Sequence, residues 1–197
     1  MGEGEWTPRQ REIVERTVEL VRRGGLGNVT VKKIAELVGV SDAALYRHFP
    51  TKEALLLAVM GEVSGMLLGP VEAIAAERST PAAERLKRIL RHHVEVLLAT
   101  DSLPVLMLAE ASASGDEALL GSVRTLMGRY LGVLESVCAE LDGPADSPPP
   151  EALAMLCLGV SAAFALRHRA MPEADAERRM VEQLIPFLVG RLTGGGR

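Results

Sequence analysis

A chain of 197 residues with 48% apolar side chains can bury a real core without disulfide or metal staples, and its 22 basic against 26 acidic residues leave it mildly acidic. Its two cysteines, Cys138 and Cys157, have no short paired spacing, which argues against a zinc ribbon or disulfide framework and points to a reducing cytoplasm. The amino terminus lacks the basic-then-apolar pattern of a secretory signal, and the most membrane-like stretch, residues 54–76, is broken by Glu62, Glu72 and three glycines, so no membrane span is expected.

Nearly every segment carries a helical period and none alternates like a hairpin, which predicts an all-α fold of about nine helices. Thr7, Pro8 and Gln10 make a capping box for a first helix with the stripe Ile13, Thr17, Leu20 and Val21; it is expected to stop at Gly24-Gly25 after a basic last turn. Thr30 caps a short second helix, Val31–Val38, ended by Gly39. Ser41 caps a third that reaches about Phe49, and Pro50-Thr51 precedes a long fourth helix from Lys52.

A fifth helix is predicted from Thr80-Pro81 to about Ala99, a sixth over residues 103–112 with irregularity at Pro104, and a seventh over residues 116–141. The proline-dense stretch 143–150 reads as an exposed loop. Two last helices, residues 151–169 and 173–191, are divided by Met171-Pro172, and Pro186 is expected to kink the second; the glycine-rich tail, residues 194–197, is expected to be disordered. The chain accordingly divides into residues 1–52, a domain of three short elements, and residues 53–197, a larger helical domain.

Two short helices joined through Leu37-Val38-Gly39-Val40-Ser41 have the form of a helix-turn-helix, whose second helix enters the major groove while the first braces across the backbone. On a helical wheel Leu45 and Phe49 face the core, and Asp42, Ala43, Tyr46 and Arg47 face outward. Small Ala43 lets the helix sit deep and touch a thymine methyl, Arg47 suits guanine or a phosphate, and the Tyr46 hydroxyl suits a phosphate oxygen. Thr30 and Ser41 cap helix ends that favour a phosphate, and Lys32, His48 and Lys52 complete the rim. Asp42 either accepts from a cytosine amino group or simply complements the helix dipole. Residues 1–52 carry 9 Lys and Arg against 7 Asp and Glu, and the remainder 13 against 19, so what basic excess exists lies in the helix-turn-helix segment.

The run T-V-K-K-I-A-E-L-V-G-V-S-D-A-A-L-Y-R-H-F-P-T-K-E-A-L resembles the DNA-binding domain of the TetR family of transcriptional regulators, over about residues 8–56. Its most specific part is Ser41, Leu45-Tyr46, Phe49 and Lys52-Glu53, preceded by Ile34-Ala35 and Gly39-Val40. The resemblance implies a homodimer on a pseudo-palindromic stretch of double-stranded DNA, with Thr30, Lys32, Ser41, Ala43, Tyr46, Arg47, His48 and Lys52 at positions that commonly contact it. The run from Ala43 to Pro50 is also similar to nucleoid-occlusion factors of the same fold, which leaves a DNA-bound interaction protein as the alternative to a ligand-released repressor.

In the larger part, residues 152–166 are apolar almost without interruption and call for cover on all sides, and Val181, Leu184, Ile185, Leu188 and Leu192 fall on one face of the last helix. Pairing both helices with their symmetry mates would supply the cover. Gly61, Gly65 and Gly69 share a face of the fourth helix, where close packing of another helix is the expected reason and a compliant lever the alternative. Met66, His92, His93, Met107, Met127, Tyr130, Cys157 and Phe164 combine soft apolar surface with polar handles and are the candidate lining for a small, apolar effector. Adjacent His92 and His93 point about 100° apart on a helix, which argues against a metal site. No nucleophile elbow, phosphate loop or dinucleotide fingerprint is present, so neither an enzyme nor a cofactor is expected.

Overall fold

The computed structural model describes residues 6–24 and 29–194, and among these every regular element is a helix. The elements are α1 (Pro8–Gly24), α2 (Val31–Val38), α3 (Asp42–His48), α4 (Lys52–Ala76), α5 (Ala82–Ala99), α6 (Leu103–Ser114), α7 (Glu117–Cys138), α8 (Pro150–Ala170) and α9 (Ala174–Leu192). Gly25 and residues 195–197, where a helix stop and a disordered tail were expected, lie outside the described residues.

Two compact units emerge. One contains the chain through Ser64 together with Leu103–Arg124, and the other contains Gly65–Ser102 and Thr125–Arg197. Both α4 and α7 therefore contribute residues to each unit.

In the first unit α1 packs on α2 and α2 on α3. Ile13, Val14 and Val21 of α1 are buried, as are Ile34, Ala35 and Val38 of α2, Leu45 and Phe49 around α3, and Leu55, Leu56 and Val59 of α4. Each such aliphatic side chain contributes roughly 1.5–3 kcal/mol on leaving water, which outweighs the poor intrinsic stability of helices only seven or eight residues long. Thr17, placed in the apolar stripe of α1, is fully buried with its hydroxyl donating to the Ile13 carbonyl at 2.7 Å.

In the second unit α5 packs against both α8 and α9. Its buried face includes Leu86, Ile89, Leu90, Val94 and Leu97. At its start, the buried guanidinium of Arg85 donates to the Ala75 carbonyl at 2.8 Å, the Thr80 carbonyl at 3.0 Å and the Glu140 carboxylate at 2.5 Å. One cation thus satisfies the end of α4, the turn after it and the segment after α7. At the α8–α9 junction, buried Glu177 accepts from Arg167 at 3.3 Å and contacts the His168 ring at 3.1 Å, while Arg169 pairs with Asp101.

Prolines depart from expectation in two places. Pro104 sits at the second position of α6 and causes no irregularity, because a first-turn residue has no intrahelical N–H bond to lose. Pro150 opens α8 instead of closing the preceding loop, for the same reason. The helix assigned as α9 runs through Pro186 without interruption.

The glycine stripe also differs from the close packing expected of it. A Cβ added at Gly61, Gly65 or Gly69 would meet nothing within 4 Å among the described residues, and all three are exposed. By length and apolar composition α4 and α8 could each cross a membrane. In α4 the residues that bury, Leu55, Val59, Val63, Leu67 and Val71 among them, recur every four positions and so form one stripe.

Candidate nucleic-acid interface

The interface candidate is built from the short helices of the first unit, and its geometry is held at each end by local hydrogen bonds. The Thr30 hydroxyl accepts from the Lys33 N–H at 3.3 Å, the Ser41 hydroxyl from Ala44 at 3.2 Å and the Thr51 hydroxyl from Ala54 at 3.0 Å, so α2, α3 and α4 each start at a capped turn. Between α2 and α3, Gly39 takes φ 74 and ψ 38, the left-handed conformation a glycine adopts at least cost. The Val40 N–H then reaches back to the Ala35 carbonyl at 2.9 Å, closing the helix end in a Schellman-type turn.

Helix α1 fastens the pair from behind. Its Arg9 guanidinium donates to the Val38 carbonyl at 3.1 Å, at the end of α2, and its Gln10 amide reaches the His48 carbonyl at 3.4 Å, at the end of α3. Gln10 also accepts from the Thr7 N–H at 3.0 Å, completing the capping box expected of this segment. With both carboxyl-terminal ends tied to α1, the amino-terminal turns and the outer face of α3 stay unobstructed.

That outer face is polar and wet. Leu45 is 2% exposed and points inward, whereas Asp42, Ala43, Tyr46 and Arg47 are exposed, Tyr46 to 45% despite its ring. Thr30, Lys32 and Ser41 are likewise exposed, and His48 and Lys52 are half-buried. Tyr46 and Lys52 also line a small apolar depression together with Val31, Ile34, Leu45, Phe49, Thr51 and Leu55. All eight candidate contact residues thus keep solvent access in one unit, with Arg47, Lys32 and Lys52 as cations.

The eight candidate effector residues are distributed differently. Met107 lies in the first unit and is fully buried; the other seven lie in the second. Of these, Met66 and Met127 are exposed, and the His92 ring meets the Met66 carbonyl at 2.9 Å. His93, Tyr130, Cys157 and Phe164 are buried. The rings of His93 and Tyr130 meet edge to face with centroids 4.4 Å apart. Burial, with a smaller repulsion from His92, pushes His93 down to about 3, and burial pushes the Tyr130 phenol up. Neither ring therefore carries charge at neutral pH.

Sequence spacing set Cys138 and Cys157 apart, yet the helices bring the two thiols together. Both are free and buried; hydrogen bonding to Cys138, reinforced by desolvation, pushes the Cys157 thiol up and keeps it protonated. Among the described residues no group of three His, Cys, Asp or Glu side chains is placed to hold a metal ion.

Residues 13–59 match the family of bacterial regulatory proteins described as tetR family. The chain is 27% identical over 133 residues to the fatty acid metabolism regulator protein of Bacillus subtilis, covering 68% of each. It is 33% identical over 88 residues to the nucleoid occlusion factor SlmA of Actinobacillus pleuropneumoniae, covering 44% of this chain and 43% of that protein. The fold is similar to that of FadR from Bacillus subtilis, solved in complex with stearoyl-CoA, with a TM-score of 0.72 at 20% identity over 92% of this chain and 98% of that one. A helix-turn-helix with capped, pinned helices, an all-α fold of this order and these matches lead to one conclusion: residues 13–59 carry the DNA-binding domain of the tetR family of bacterial regulatory proteins, and the chain beyond it is similar to transcriptional regulators with that domain.

Proposed function

We propose that the chain is a cytoplasmic, homodimeric repressor that sits on a pseudo-palindromic operator and is released when a small apolar effector enters its carboxy-terminal helices. The observation that carries the proposal is the outer face of α3, where Asp42, Ala43, Tyr46 and Arg47 are exposed on a helix fastened from behind by α1. Residues 1–52 act as the DNA-binding part and residues 53–197 as the regulatory part. Ala43 and Arg47 read base edges or phosphate. Thr30, Lys32, Ser41, Tyr46, His48 and Lys52 position the duplex through its backbone.

Two recognition helices must meet successive major-groove faces, so function needs a dimer. A dimer surface is available on the last two helices. Along α8 the adjacent exposed residues Met155 and Leu156 are followed by Gly159, Ala163 and Leu166 at steps of three or four, and on α9 Leu184 and Phe187 are exposed, Phe187 to 60%. Within one chain this stripe is uncovered, and a second copy would bury it.

The effector's apolar, acyl character is supported by the name of the Bacillus subtilis relative and by the stearoyl-CoA in the structurally similar FadR. Helix α4 contributes to both compact units, so a displacement of its second half on ligand binding alters the seating of the DNA-binding helices. No catalytic role is assigned to any residue.

The test begins with selection of bound fragments from genomic DNA, followed by gel-shift titration on the best site with stearoyl-CoA as the first candidate for release. Tyr46→Ala and Lys52→Ala should each weaken binding about tenfold irrespective of sequence, and Lys52→Ala should reduce the slope of log affinity against log salt by about 1. Unchanged affinity in both variants would remove the assigned contacts. The similarity to SlmA supports a second function, a DNA-bound protein whose output is a protein partner. Bound sites scattered widely over the chromosome would favour it; one or two promoter sites favour repression.

A further inference from the structure

Among the described residues, the second unit holds three shielded side-chain polar atoms without partners, Arg91 Nε, His93 Nδ1 and the Tyr130 hydroxyl, and the last two belong to rings in contact. His93 is 6% exposed and Tyr130 2%, and they touch each other across α5 and α7. Ser161 of α8, whose hydroxyl donates to the Cys157 carbonyl at 3.4 Å, lies close enough to the phenol to act on it as a weak hydrogen-bond partner, but no well-formed bond joins the two. A buried polar group without a partner is destabilising, so two in contact are an unfavourable arrangement unless something else completes them.

Resting on the effector release proposed above, we propose that His93 and Tyr130 form the polar end of the effector site, and that they select an uncharged oxygen carried on an apolar chain, an ester carbonyl or a hydroxyl. The chemistry of the pair sets this class. The Tyr130 O–H donates, and the Nδ1 of a neutral imidazole donates or accepts according to its tautomer, so one carbonyl or hydroxyl oxygen completes both. A carboxylate would bring a full negative charge beside two neutral rings. Of the cations nearest in sequence on α5, Arg88 is directed to Glu77, and Arg91, which turns a terminal nitrogen to Glu182 and leaves its buried Nε unpartnered, lies about 200° round the helix from His93. Burying that charge without a counter-ion costs more than two neutral donors return. The surrounding face is apolar: Leu90 and Val94 flank His93 on α5, Leu134 follows Tyr130 on α7, and all three are buried.

Full-length protein is titrated with dodecan-1-ol, methyl dodecanoate and dodecanoate at pH 7.5, with affinity by calorimetry and melting temperature read alongside. The alcohol and the ester are expected to bind at least tenfold tighter than the carboxylate, and Tyr130→Phe should weaken them about tenfold while leaving dodecanoate unchanged. In the ligand-free protein the same substitution removes an unpartnered hydroxyl, so it should raise the melting temperature by about 2–4 °C. A lower or unchanged melting temperature would mean the phenol is already satisfied, by protein or by a buried water, and would overturn the proposal. So would dodecanoate binding as well as its neutral counterparts, or none of the three probes binding. Gel shifts on the selected operator separate the two ideas: probe binding without DNA release sinks repression by effector while leaving the selectivity of the pair intact.

Discussion

Replacing His93 with glutamine is expected to make the protein less sensitive to acid. In the folded chain, burial holds the imidazole at about 3, against 6.5 for the free side chain. Below pH 6.5 the unfolded chain takes up a proton that the folded chain refuses, so the unfolded state binds more protons and stability falls as pH falls. The contribution is fully present above about 6.5 and is lost progressively toward 3. At 1.36 kcal/mol per pH unit, this one group removes about 2 kcal/mol between pH 7 and pH 5. For a chain of this size that is about 4–8 °C in melting temperature. Thermal melts of wild type and His93→Gln at pH 7 and pH 5, at one fixed protein concentration, isolate the term, because His48, His92 and His168 remain in both proteins. The wild type should lose 4–8 °C more than the variant. An equal loss in the two would show that His93 accepts its proton in the folded state, and the physical picture of a sealed, uncharged ring pair would be wrong.

Two other expectations follow from single contacts. Arg85→Ala leaves the Glu140 carboxylate and two backbone carbonyls without their shared donor, and should lower stability in urea by about 3–5 kcal/mol; Glu140→Gln, which leaves both carbonyl bonds in place, should cost clearly less. Equal effects would mean that the ion pair, and not the backbone carbonyls, dominates. Leu184→Glu combined with Phe187→Glu puts charge on the exposed face of α9 and should convert the proposed dimer to monomer in light scattering with loss of operator binding, while the helical signal stays unchanged. A variant that remains dimeric would place the interface elsewhere.

Most of the fold was legible in the residues because its signals are local. Thr7, Thr30 and Ser41 cap helices by hydrogen bonds that reach no further than three residues, and Gly39 ends α2 because its φ of 74 suits a residue without a Cβ. The inward turn of Leu45 and the outward turn of Tyr46 and Arg47 follow from the 3.6-residue period alone. Pro104 and Pro150 were misjudged for the same local reason in reverse: proline reads as a breaker unless the first turn of a helix is recognised as the place that tolerates it.

What depends on distant segments could be decided only by tertiary structure. Cys138 and Cys157 read as unrelated thiols until α7 and α8 bring them together, and a stripe of glycines that reads as a packing seam turns out to have no neighbour within 4 Å. Nothing in the order of residues distinguishes His93, sealed against Tyr130, from His92 beside it, whose ring meets a backbone carbonyl. Helical period fixes which face a side chain takes; only the packing of α5, α7 and α8 determines whether that face meets water, a partner or an unanswered polar group. The DNA-reading segment is therefore largely written in local chemistry, whereas the polar pair in the second unit is a property of three helices converging from separate parts of the chain.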